Sequence, residues 1–142
     1  MTPAIPPITV RHAFPALPER VFDAWIDPAV ARRWLFVTPD GPVVRCDIDA
    51  QPGGAFVITR RTTEEVEHHG RYLEIDRPRR LAFTFSVPKY SSVETTVRID
   101  IAPDGDGCEL TLVHEDVLPE WAASTEQGWR DLLARLDALL HG

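Results

Sequence analysis

The sequence predicts an α+β fold in which a curved, seven-stranded antiparallel sheet wraps one long C-terminal helix, with two short helices between strands 1 and 2. Three observations carry this expectation. One period-two strand opens the chain, and six more follow after Gly41, each closed by a turn signal. Strands joined by short turns must pair antiparallel, because a parallel pair needs a long crossover. The third observation is width. Seven strands span about 29 Å at ~4.8 Å per strand, whereas a helix is only ~10 Å across. One helix cannot cover a flat sheet of that size, so the sheet must curl round it, and the room left between them becomes a cavity.

The elements follow in order. Ile8, Val10, His12 and Phe14 alternate with Thr9, Arg11 and Ala13, and Pro15 and Pro18 end the strand. In PERVFDAWID, Val21, Phe22, Trp25 and Ile26 fall at helical spacing, with Pro18 near the first turn. Asp27 as N-cap and Pro28 restart a second helix, PAVARRWL, in which Val30 and Trp34 share a face. The strands then run through GPVVRCDIDA (Val44, Cys46 and Ile48 on one side), AFVITRR, VEHHGRYLEID, RLAFTFSV (Leu81, Phe83, Phe85, Val87), SVETTVRIDIA (Val93, Thr95, Val97, Ile99, Ile101) and CELTLVHED (Leu110, Leu112, His114). Gln51-Pro52-Gly53-Gly54, Arg77-Pro78 and Pro103-Asp104-Gly105-Asp106-Gly107 punctuate them. A helix from about Pro119 to Leu140 closes the chain, its inward face formed by Thr125, Trp129, Leu132, Leu133, Leu136, Leu139 and Leu140. Gly128 sits inside that helix beside Trp129, where a neighbour packed close to the backbone would account for it.

Composition bounds the function. The 142 residues, 44% hydrophobic and 26% charged, suit one domain (1–142, core about 8–140) that needs no disulfide or metal staple. A formal charge of −7 disfavours phosphate backbones and anionic membrane surfaces, so neither nucleic acid nor membrane is an expected partner. No signal-like start and no long apolar run are visible, which points to the cytoplasm and to reduced Cys46 and Cys108. There is no G-x-S-x-G elbow, phosphate loop, C-x-x-C or H-E-x-x-H.

The combination VFDAWIDP…ARRW, GGAFVI, HGRYLEIDRPRRLAFTF, LTLVHED and GWRDLLARLDALL, spread from about Ile8 to Leu140, resembles the family of homologues of the activator of heat-shock-protein-90 ATPase. That family lies in the START-like, or SRPBCC, superfamily, which includes the birch-pollen-allergen fold. The resemblance implies a helix-grip fold with a hydrophobic cavity inside. It implies three uses: binding a small hydrophobic molecule between sheet and helix, a chaperone-activator-like interaction tied to the stress response, or a cyclase/aromatase-like enzyme. The first is the reading preferred here, with the chain a monomer or homodimer and no cofactor, metal or catalytic residue assigned.

Candidate pocket residues are Trp129, Leu133, Phe83, Phe85, Val97 and Leu112, with His69, Arg71 and His114 as orienting polar groups. Plain core packing is the competing use of the aromatic rings. In Glu67-His68-His69-Gly70-Arg71, the two histidines point to opposite faces of a strand and cannot grip one metal together. Leu73 and Ile75 mark the core face, and counting back by twos adds Arg71, His69 and Glu67, unless a bulge at Gly70 changes the register. Against this stands the cost of burying Glu67 unpaired, which would place the segment at a solvated strand end. His12, His69 and His114, if they converge, would form a polar floor, or in sharper form a three-histidine metal centre. In an enzyme of the cyclase kind, turnover would depend on His114.

Overall fold

The alternation read from the sequence forms seven strands in a computed structural model that describes residues 6–38, 41–91 and 93–141. The order is β1 (Ile8–Phe14), α1 (Pro18–Ile26), α2 (Pro28–Ala31), β2 (Val43–Ile48), β3 (Ala55–Arg61), β4 (Glu65–Asp76), β5 (Arg80–Phe85), β6 (Thr95–Asp104), β7 (Gly107–Glu115) and α3 (Pro119–His141). The sheet runs β1-β7-β6-β5-β4-β3-β2 with every neighbouring pair antiparallel. Strands β2 to β7 are thus a meander, and α1 and α2 carry the chain from one edge of it to the other. The chain start read for a signal, at residues 1–5, and Ser92, at the head of an expected strand, lie outside the described residues. Val93, also expected in that strand, precedes β6 and is 45% exposed.

The core fills the concave face. Leu81, Phe83, Val97, Ile99, Leu110 and Leu112 from the sheet meet Val21, Phe22 and Trp25 of α1 and Trp129, Leu133, Leu136 and Leu140 of α3. Each fully buried side chain of this size contributes about 1.5–3 kcal/mol. Charged side chains also hold the helices in place. Arg77, after β4, forks onto the Asp23 carboxylate of α1 at 2.7 and 2.8 Å and holds that carboxyl below its ordinary pKa. His12 of β1 pairs through Nε2 with Asp137 of α3 at 2.6 Å.

The second helix is shorter than its sequence suggests. It starts as expected, with the Asp27 carboxylate accepting from Ala29 N–H at 3.0 Å, but ends at Ala31. Trp34, Leu35 and Phe36 are all buried, and three successive residues of one helix cannot all face one core. The chain therefore continues in turns, and Phe36 adopts φ 63°, a left-handed conformation that costs a bulky residue about 1–3 kcal/mol. Trp34 is fixed by an indole N–H donated to Ala24 O at 2.9 Å and by an edge contact with Trp25 at 4.7 Å.

Two irregularities correct the strand faces read from the sequence. In β4, Val66, His68 and Tyr72 are buried, whereas Leu73 is 50% exposed. The pairing with β5 slips between Tyr72 and Glu74, after which Ile75 lies opposite the buried Leu81. One extra residue in a strand exchanges its faces. Counting back from Ile75 across the slip therefore gave the wrong parity, and His69 and Arg71 lie on the convex side. Gly70 is not the bulge. It lies opposite Phe56 in the β3 pairing, and a Cβ there would come 2.2 Å from the Phe56 ring and 2.3 Å from Thr84 O. In β2 a similar slip between Val43 and Arg45 leaves Val44 exposed, off the side shared by Cys46 and Ile48.

Gly128 also differs from expectation. Nothing lies within 4 Å of a Cβ built on it, so no close neighbour demands a glycine. Replacing it with alanine removes the helix-interior penalty of glycine, about 1 kcal/mol. Gly128→Ala is expected to raise the melting temperature by about 2–5 °C, measured by thermal unfolding followed by circular dichroism.

Candidate functional site

Curling the sheet round α3 leaves a cavity of about 760 Å³, bounded by α3 between Trp121 and Arg135, the segment 36–38, and residues from β3, β4, β5, β6 and β7. Phe36, Phe85 and Trp129 form much of its wall, with ring centroids 5.2 to 6.2 Å apart. Tyr90, Val93, Leu118 and Trp121 border it and are themselves exposed, so apolar side chains surround the opening.

His114 is the best-determined polar group of the wall. The Trp129 indole N–H, which can only donate, reaches His114 Nδ1 at 3.0 Å. Thr95 Oγ1 donates to Phe85 O at 3.0 Å and therefore accepts from His114 Nε2–H at 2.7 Å. The chain Trp129 → His114 → Thr95 → Phe85 O has one consistent direction, and it requires a neutral imidazole protonated on Nε2. Burial acts the same way, pushing the His114 pKa down to about 4. With both nitrogens engaged, the ring orients α3 against β6 and β7 and holds no lone pair free to take a proton.

His68 is arranged differently. Its Nδ1–H donates to Ile58 O at 3.0 Å, and its ring stacks on Phe36 with centroids 4.2 Å apart and planes 3° from parallel. The positive φ of Phe36 is what presents that side chain to the imidazole. Burial lowers the His68 pKa to about 4, a shift the Ile58 bond opposes and the Arg60 charge reinforces. Arg60 sits two residues beyond Ile58 on β3, the diagonal neighbour of His68, and borders the same cavity. Its Nε is buried without a hydrogen-bond partner among the described residues. Leaving such a donor unpaired costs about 1–3 kcal/mol, more for a charged group.

Of the residues singled out from the sequence, Trp129, Phe85 and His114 border the cavity. Phe83, Val97, Leu112 and Leu133 are buried in the core and are not part of its lining. His69 pairs with Glu67 at 2.9 Å, and Arg71 donates to Gly53 O at 2.8 Å, both away from the cavity. His12, His69 and His114 do not converge, since His12 pairs with Asp137 and lies across from Leu110, four positions along from His114. Among the described residues no group of three or more His, Cys, Asp or Glu could hold a metal ion, and no helix is long and apolar enough to cross a membrane. Cys46 and Cys108 are free thiols whose pKa values burial raises.

The sequence reading missed His68, Phe36 and Arg60. The alternation of Val66, His68 and Tyr72 carried the signal for His68, but the bulge at Leu73 masked it. Nothing in the local pattern marked the other two.

A bent antiparallel sheet gripping a C-terminal helix, plugged at one side by two short helices, defines a START-like, helix-grip protein. Solved structures agree. A Chromobacterium violaceum protein aligns with a TM-score of 0.86 at 26% identity, covering 96% of this chain and 97% of its own. A Rhodobacter sphaeroides protein gives 0.83 at 22% identity, covering 99% and 96%, and an AHSA1-like protein of Aeromonas hydrophila gives 0.82 at 19%, covering 96% and 92%. The chain belongs to the family described as Activator of Hsp90 ATPase homolog 1-like protein, whose model matches residues 15–141. No curated protein matches it significantly.

Proposed function

We propose that the protein binds a small, largely apolar molecule in the cavity between α3 and the sheet. The observation that carries this reading is the cavity itself. Its volume of about 760 Å³ falls within the range of small-molecule sites, and its wall joins aromatic rings to a few placed polar groups. Membership of a START-like family supports the same reading. Native mass spectrometry of freshly purified protein, compared with its denatured mass, tests whether a molecule is carried. A thermal-shift panel of lipids and aromatic compounds tests whether one can be: a ligand at a hundred times its Kd adds about 2.7 kcal/mol. Thr125→Trp, which projects a ring from α3 into the cavity, is expected to abolish that shift. A clean apo mass together with a flat panel would remove the support for a ligand.

A second reading draws on the family's description and on the apolar rim of Tyr90, Val93, Leu118 and Trp121: a chaperone docks at the opening. Such binding would survive Thr125→Trp and be lost in Trp121→Glu, and co-purification with each variant separates the two readings.

A further inference from the structure

Two polar groups of the sheet that border the cavity each keep a hydrogen-bonding site without a partner among the described residues. His68 is 6% exposed, its Nδ1–H is spent on Ile58 O, and no described residue donates to the lone pair left on Nε2. Arg60, diagonal to it on the next strand, has a buried Nε without an acceptor, and no described carboxylate pairs with its guanidinium. The other charged groups that border the cavity, Asp116, Asp131 and Arg135, come from the residue after β7 and from α3 rather than from β3 or β4. Buried polar groups in folded proteins nearly always have partners, and the buried Arg60 Nε, diagonal to an imidazole whose second nitrogen has none among the described residues, calls for one.

We propose that this pair selects a ligand with an acidic hydroxyl, a phenol or enol, on a flat apolar body. The hydroxyl donates its proton to His68 Nε2 while its oxygen accepts from an Arg60 N–H. Other chemistries meet one group and offend the other. A carboxylate satisfies Arg60 but faces the lone pair of a neutral imidazole, an ammonium is repelled by Arg60, and a hydrocarbon leaves both unpaired. The ring stack of Phe36 on His68, with Phe85 beside it, favours a planar body over a flexible acyl chain.

The inference rests on the cavity-binding reading, and the test separates the two. Binding of 2-naphthol, 2-methoxynaphthalene and 2-naphthoate to the wild-type protein is measured by calorimetry at pH 7.5. The naphthol is expected to bind at least about tenfold more tightly than its methyl ether, the factor that one good hydrogen bond supplies, and more tightly than the naphthoate. Arg60→Met and His68→Phe should each bring the naphthol down towards the ether while leaving the ether within about threefold. Equal binding of naphthol and ether, or tighter binding of the naphthoate, overturns the hydroxyl assignment and leaves the cavity reading standing. If none of the three binds, the hydroxyl assignment falls, while the cavity reading is decided by the native mass and the lipid and aromatic panel. The wild-type comparison decides the matter even if a variant does not fold.

Discussion

Acidification from pH 6.5 to pH 4 is expected to remove roughly 3 kcal/mol of folding stability for each of His68 and His114. Both rings are buried and neutral, with folded-state pKa values near 4, whereas in the unfolded chain they titrate at about 6.5. The unfolded state therefore binds more protons throughout this window, and stability falls as pH falls. The contribution is fully present above pH 6.5 and is lost by about pH 4, below which these two groups remove nothing further. The geometry gives the same sign for His114, because a proton on Nδ1 would confront the Trp129 N–H. Asp23 acts in a lower window, below its ordinary value of 3.8, where protonation releases Arg77. Urea unfolding at a series of pH values between 7.5 and 4 measures the effect. His114→Gln, which cannot titrate, should remove about half of the slope. A urea midpoint that stays level from pH 7 to pH 5 would contradict two buried neutral imidazoles.

Gly70→Ala is expected to lower stability by about 3 kcal/mol, at the upper end of overpacking costs. The added methyl would overlap the Phe56 ring on one side and the Thr84 carbonyl oxygen on the other. The ring can swing aside only by disturbing its packing on Tyr72 and Phe83, and the carbonyl belongs to a strand that cannot move alone. A fall of roughly 10 °C in melting temperature follows for a chain of this size. Phe56→Leu in the Gly70→Ala background should restore only part of it, since the backbone contact remains. A Gly70→Ala protein as stable as the parent would mean that β3 and β5 leave room for a methyl group at Gly70.

These two cases show what the sequence could and could not reveal. Strand alternation, the turn signals and the i, i+3, i+4 face of α3 were enough to order every element, because each pattern repeats over several residues. The expectation of room between sheet and helix came from strand spacing and not from any particular side chain. The site was less legible because faces in a strand depend on parity, and parity is lost at a single unpaired residue. Leu73 exchanged the faces of β4, so that His69 and Arg71 were read in place of His68. Arg60 was not legible because a buried Nε without a partner among the described residues is a three-dimensional fact. Trp129 and His114 were recoverable because each sits in an uninterrupted periodic run.

Trp129 also has a mechanical consequence. From that residue onward α3 is bolted down, by its indole on His114, by Leu133, Leu136 and Leu140 in the core, and by Asp137 on His12. Ahead of it none of the residues 119–128 is buried, so a stretch of ~15 Å crosses the cavity as a span, held at its far end by the buried Val117 and resting on the core through Ala122. Strain from within the cavity is expected to bow that span between its two supports before it parts the strands, each of which is paired to its neighbours in the sheet.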